Sequence, residues 1–568
     1  MKLIILLTTL LMSGLLFSPQ SRKQTPDPYK QRMVVFCAPS FDPEKMNADN
    51  APLFSGLGNL HYKISTTSST AQKYFNQGLT LLYAFNHGEA GRSFKAAIGA
   101  DSTAAMAYWG MGMVLGPNYN AALNPSVLAD IHDVMEKAMK YSGKVTAREQ
   151  ALINALAKRF PKEPVTDMTP YNAAYAVAMK EAYERFPGDV EIGCLYADAL
   201  MNEHPWNLWL KDGTAQPWTP AILQVLEQLL KQWPQHPGAN HMYIHAIEAS
   251  REAAKGLAAA NRLENMLPAA GHLLHMPSHI YIRTGYYHKG VLVNEKASEA
   301  DSSYIAQCKV QGSYPMMLYP HNVHFLAACA FLEGNSKKAM DAAWRVSRIA
   351  DRRYLAENLT VQHYYSIPFY VMVHLGKWDE VLQLPKPGSS LKYPLAIWHY
   401  ARGMAYAGKN NIPEAQKELD ALKAIAADES LKSMLIWETN SAADLVQIAL
   451  KVLNGQMAGT KLQFDVAVAS LKEAVEIEDR LNYQEPPDWF FSVRHTLGHV
   501  LIKAGRFAEA EQVYKEDLVN LPENGWALMG LYNSLSAQNK TKEAAAVKKR
   551  FDAAWKHADI KITGSRVE

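Results

Sequence analysis

From about Ser69 to the C-terminus, apolar residues recur at helical spacing with few interruptions. Alanine, leucine and methionine are abundant, which favours helix, and runs of β-branched alternation are rare. This pattern restricts the chain to an all-α architecture. Within it, histidine-bearing segments recur. They read NHMYIHAIEAS, with His241 and His245; GHLLHMPSHIYIRTG, with His272, His275 and His279; and PHNVHFLAACAFLEG, with His321 and His324. Offsets of three and four residues put side chains on one helical face. Neutral imidazole is the commonest protein metal ligand, so imidazoles stacked in register point to a metal or ligand site.

A length of 568 residues suits several domains or one long repeat array. A formal net charge of +3 is too small to mark a nucleic-acid or acidic-membrane partner, and neither is expected. At the N-terminus, Lys2 precedes the apolar run Leu3–Phe17 and then polar Ser18-Pro19-Gln20. This reads as a signal peptide over 1–18, and it predicts an exported protein, periplasmic or secreted. No A-x-A cleavage pattern follows, so the alternative is an uncleaved N-terminal anchor. No second long apolar run follows, and no stable membrane span is expected beyond the signal. Cys37, Cys194, Cys308 and Cys329 lack CxxC spacing and form neither a zinc ribbon nor a redox motif. Cys194 and Cys329 lie in apolar helical stretches and are expected to be buried free thiols.

Residues 19–68 are rich in Pro, Ser, Asp and Asn and read as a linker or irregular cap. Residues 491–524 then carry Gly498, Gly505, Ala510, Tyr514 and Pro522 at the spacing of a 34-residue helix pair, and 71–104 match with Gly78, Ala90 and Phe94. In these segments the chain resembles the tetratricopeptide repeat family, which implies an α-solenoid of paired helices. The expected organisation is N-terminal repeats over 69–189, central repeats over 237–395 and C-terminal repeats over 396–568. Residues 190–236, with Trp206, Trp209 and Trp218 among prolines, break the pattern and are expected to form an inserted loop. HPGANHMYIHAIEAS and AGHLLHMPSHIYIRTG also resemble segments of large exported bacterial tetratricopeptide proteins. That likeness implies origin and groove composition and names no reaction.

In the same frame, the blocks 237–270, 271–304, 320–353 and 362–395 bring the histidines into register. His272, His321 and His363 fall at the second position. His241, His275, His324 and His495 fall at the fifth, and His245, His279 and His499 at the ninth. The family resemblance implies that these positions line the concave groove. His241, His245, His275, His279, His321 and His324 are therefore the expected metal ligands, with zinc or copper as the cofactor. His272, Arg283 and His363 are expected to bind ligand. Glu248, three residues beyond His245, is the candidate general base, or else a carboxylate that orients an imidazole. Pro277 predicts a helix start near itself, with His275 on the entering loop. The function expected is metal binding in the groove, with metal-dependent hydrolysis as its active form. A metal-free scaffold for a protein or peptide partner is the alternative.

Overall fold

The structure, a computed structural model, describes residues 51–308 and 314–567. The signal segment expected at 1–18 and most of the linker expected at 19–68 lie outside the described residues. The described part of that linker, 51–68, has no helix, and it is tied to the body through backbone and side-chain contacts. Ala269 N–H donates to Gly56 O at 3.0 Å, and Ser65 N–H donates to Glu149 at 2.6 Å.

Beyond it, helices follow one another in pairs, as the periodicity predicts. The first are α1 (Ser69–Tyr83) with α2 (His87–Ala100), α3 (Ala105–Leu115) with α4 (Leu128–Tyr141), and α5 (Ala147–Leu156) with α6 (Thr169–Arg185). Next come α7 (Val190–Glu203) with α8 (Thr219–Gln232), α9 (Pro237–Ile247) with α10 (Leu257–Leu263), and the split helix α11 (Gly271–His275) and α12 (Pro277–Thr284) with α13 (Tyr287–Cys308). The C-terminal half continues with α14 (Tyr319–Leu332) and α15 (Ser336–Ile349), α16 (Leu359–His374) and α17 (Trp378–Leu382), and α18 (Lys392–Gly408) and α19 (Ile412–Ala426). It ends with α20 (Ala442–Thr460) and α21 (Phe464–Arg480), α22 (Val493–Lys503) and α23 (Phe507–Asn520), and α24 (Gly525–Ala537) and α25 (Thr541–Ala554). Among the described residues the only strands are β1 (Leu435–Ile436) and β2 (Asn440–Ser441), which pair antiparallel with Ile436 opposite Asn440. No described helix is long and apolar enough to cross a membrane. The chain is thus an all-α solenoid.

Small residues do what the repeat pattern requires of them. A Cβ on Gly498 would stand 2.3 Å from Tyr514, and one on Gly78 would stand 2.7 Å from Phe94. Both glycines allow the two helices of a pair to cross closely. The turns between paired helices need a left-handed residue, which glycine supplies without steric penalty. Gly334, Gly376 and Gly505 sit there at φ +81°, +65° and +72°, and Phe85 takes the equivalent turn at φ 52°.

Residues 190–236 are not one inserted loop. Asp189 caps α7 by accepting from Glu191 N–H and Ile192 N–H, and Pro220 sits in the first turn of α8. Only 204–218 and the short turn 233–236 are irregular. The dense Trp and Pro content hid an ordinary helix pair around the first of these. Trp209 and Trp218 pin that loop, their indoles donating to Ala246 O at 2.7 Å and Asn207 O at 2.8 Å. A helix segment does start at Pro277, where α12 begins, but α11 precedes it. The helix begins at Gly271 and continues past a single break at Met276, so His275 is helical and not on a loop. Proline at the first position of the second segment costs one backbone bond and leaves the axis in place.

Two apolar cores fill the solenoid, one from Leu57 to Val293 and one from Ile282 to Ile562, and α12 and α13 contribute to both. The superhelix winds tightly. α9 packs against α1, and the last pairs fold back onto α12–α14. There Arg283 donates to Asn520 O at 3.1 Å, Tyr287 to Pro522 O at 2.6 Å, and Trp526 to Phe331 O at 3.1 Å. This closure turns the concave face into an interior. Cys194 and Cys329 are buried in these apolar cores as free thiols.

Candidate metal centre

The histidines of α9, α11, α12 and α14 meet in that interior as two groups of three. His241, His245 and His272 present ligand nitrogens within 4.8 Å of one another, and so do His275, His279 and His321. All but His321, which is half-buried, are no more than 3% exposed. In the first triad, His272 Nε2 faces His241 Nε2 at 3.2 Å. In the second, His275 Nε2 faces His279 Nε2 at 3.0 Å. Each triad packs on one phenylalanine. Phe85 lies 4.5 Å from His241 and 5.6 Å from His272, and Phe325 lies 4.7 Å from His275 and 4.6 Å from His279, between ring centroids.

An oxygen holds the far side of four of the six rings. His241 Nδ1 sits 2.6 Å from Tyr83 O, which can only accept, so Nδ1 carries the proton and Nε2 is bare. His275 Nδ1 donates to Asn294 Oδ1 at 2.7 Å, and the amide is oriented by its own donation to Gly290 O. His245 Nδ1 faces Glu248 Oε1 at 2.7 Å, and His279 Nδ1 faces Glu248 Oε2 at 2.5 Å and Glu485 Oε2 at 3.3 Å. The His279–Glu248 contact is close but poorly angled for a hydrogen bond, so the two meet as an ion pair. In all four rings Nδ1 is engaged by an oxygen and Nε2 is turned to the triad. Metal-binding histidines are held in this way, with the outer nitrogen on a carbonyl or carboxylate.

Burial pushes the pKa of His241, His272, His275 and His321 well below the ordinary histidine value, and neighbouring imidazoles add to the effect. These rings stay neutral, the ligand-competent form. Burial lowers His245 as well, partly offset by Glu248. His279 is the exception. Burial opposes its charge, but Glu248 and Glu485 outweigh that and raise it to about 9. Burial alone would raise Glu248. The two imidazoles outweigh it and hold the carboxyl below its usual range. Buried His245 Nε2 and His272 Nδ1, and both oxygens of Glu485, have no hydrogen-bond partner. Orphaned polar atoms of this kind are rare in folded proteins.

The donor set fits a cation. Zinc bound to imidazole at about 2.0–2.1 Å in a tetrahedron sets nitrogens about 3.3–3.4 Å apart. The facing Nε2 pairs, at 3.2 and 3.0 Å, stand close to that edge. A cavity of about 60 Å³ lies against both triads, lined by Trp206, Trp437 and Tyr483 as well as His245, His279 and Glu485. That space is large enough for water. Trp206 and Trp437 both take left-handed backbone, at φ 57° and 48°. This conformation costs bulky residues on the order of 1–3 kcal/mol and clusters at functional sites.

Five of the six expected ligands, His241, His245, His275, His279 and His321, are therefore brought together. His324 is not among them. It stacks on Phe490, at 4.8 Å, and faces His363, at 5.5 Å, one helix layer further along. His272, expected to bind ligand, takes a place in the first triad instead. Arg283 borders the site through Glu485, 3.8 Å away, and is otherwise spent on Asn520 O and Ser250 O. Both oxygens of Glu248 face imidazole Nδ1 atoms, the orienting role of the two expected for it. Glu485, Tyr483 and Trp437 escaped sequence reasoning because they come from irregular segments 116 to 244 residues away, joined to the histidines only by the winding of the solenoid.

No protein-family profile matches the chain, and no curated protein sequence does. Among solved structures it is similar to a human IFIT1 dimer with m7Gppp-AAAA, at 12% identity and TM-score 0.30, over 86% of this chain and 90% of that one. It is also similar to yeast Tom70, at 10% identity and TM-score 0.28, over 85% and 90%. A third is the APC/C hetero-tetramer Cut9-Hcn1, at 12% and 0.27, over 87% and 76%. At such scores these proteins decide nothing about this chain, whose fold and site rest on its own helices and side chains.

Proposed function

We propose that this protein is an exported α-solenoid that binds a transition metal, zinc or copper, in its histidine-lined interior. The observation that carries the proposal is the arrangement of the rings. Nδ1 atoms are tied to Tyr83, Asn294 and Glu248, and Nε2 atoms converge on one another in a buried setting. The facing Nε2 atoms share one proton in each pair, and His245 Nε2 and His272 Nδ1 are left with no partner, which a purely structural polar layer would supply. When bound, the cation would supply Lewis acidity. The chain's own contribution to hydrolysis would be the water-sized cavity and the carboxyl group of Glu485 beside it, whose oxygens accept no hydrogen bond. Export rests on the N-terminal sequence alone.

Elemental analysis of the purified protein tests the proposal, paired with thermal unfolding with and without added zinc or copper. A ligand that binds only the folded state raises stability by mass action. Metal should co-purify or bind at micromolar levels and raise Tm. His241→Ala combined with His279→Ala should abolish that rise and leave helix content intact. A protein that binds neither metal refutes the proposal. The second reading, a scaffold for a protein or peptide, is supported by a groove of about 510 Å³ that adjoins the histidine cavity at Tyr483 and Glu485 and offers Lys211 and Arg251 beside acidic residues such as Glu478 and Glu516. Peptides with free C-terminal carboxylates probe it, and their binding should weaken in Arg251→Ala.

A further inference from the structure

The two triads arise from one rule of the repeat. The fifth-position histidine of each central repeat meets the second-position histidine of the next. His241 meets His272 at 5.0 Å, His275 meets His321 at 4.8 Å, and His324 meets His363 at 5.5 Å between ring centroids. The ninth position supplies the third ring of a triad where it is histidine, as at His245 and His279. In the third repeat that position is Ala328, so His324 and His363 remain a pair. Their Nε2 atoms have no partner. The same three-ring nest is thus built twice in adjacent layers. The layers touch, with His245 and His279 at 5.9 Å and His272 and His275 at 5.9 Å. One carboxylate spans them, Glu248 facing a ring of each layer with its two oxygens.

We infer that the chain holds two transition-metal ions, one on His241, His245 and His272 and one on His275, His279 and His321, coupled through the shared Glu248. The inference rests on the metal-binding proposal and deepens it. A single cation would use one nest and leave the other three imidazoles buried without a function. Two cations use all six rings and give Glu248 a role that either site alone would not need.

The test is stoichiometry. The full-length protein is stripped with chelator, loaded with Zn(II), desalted and assayed for metal per chain. Two equivalents are expected. His272→Ala should retain one equivalent, His321→Ala should retain one, and the double variant none. Circular dichroism should show unchanged helix content, with His272→Gln and His321→Gln as milder variants should either alanine protein unfold. Loading with Cu(II) should give a spin-coupled electron paramagnetic resonance signal that becomes that of an isolated ion in either single variant. One equivalent in the wild type, lost in either variant, overturns the two-site inference and leaves metal binding standing. Zero equivalents overturns both.

Discussion

Replacing Glu248 by glutamine probes how the centre is organised, because the two sites should respond unequally. The carboxylate accepts at 2.7 Å from His245 and sits 2.5 Å from His279. Glutamine keeps one oxygen and puts an amide N–H₂ where the other stood. His245 has no other acceptor at Nδ1, so the amide oxygen should go there, and the His241–His245–His272 site should hold its affinity. His279 then faces an amide donor and keeps only Glu485, at 3.3 Å. Loss of an outer-shell partner lowers metal affinity about 10–100-fold, or about 1.4–2.8 kcal/mol. The retained Glu485 places the His275–His279–His321 site near the low end of that range, and Glu248→Gln with Glu485→Gln near the high end. Zinc titration against a chromophoric chelator, in the His272→Ala and His321→Ala backgrounds, reads each site alone. Equal affinities in both backgrounds, within about threefold of the parent variants, would refute the orienting role of Glu248.

Three further outcomes follow from the same contacts. The metal-free protein should lose stability as pH falls below 6.5. His241, His272, His275, His321 and His324 have pKa values well below the ordinary one, and His363 falls to about 3. The unfolded chain therefore takes up protons that the folded chain refuses, at about 1.4 kcal/mol per pH unit for each such ring, and urea midpoints from pH 7.5 to 5 measure the slope. His279 acts with the opposite sign. Its raised value contributes stability that is complete below pH 6.5 and lost as pH rises through about 9, so His279→Gln should flatten the alkaline limb of the same series. Gly498→Ala should destabilise by about 1–3 kcal/mol in urea unfolding, since its Cβ would stand 2.3 Å from Tyr514, and an unchanged midpoint would contradict the close helix crossing.

The fold was legible because helical spacing is a local property. The helix start near Ser69 and the small residues Gly78, Gly498 and Gly505, placed by the repeat spacing, all stand in the sequence. The helix pair within 190–236 was hidden because tryptophan and proline density outweighed two amphipathic runs. The site was half legible. Register alone grouped the histidines on one face, but it could not say which positions of successive repeats touch. Hence His324 was joined to the cluster and His272 held apart from the ligands, although the meeting of fifth with second position explains both. Glu485 and the two left-handed tryptophans depend on how the superhelix closes, and no local pattern carries that.

X-ray absorption at the zinc edge of the loaded protein tests most directly the claim that bare imidazole nitrogens hold the metal. The first shell should contain nitrogen and oxygen only, at about 2.0–2.1 Å, with the outer-shell scattering of three imidazoles per zinc. A sulfur shell near 2.3 Å, or a shell without imidazole scattering, would contradict it.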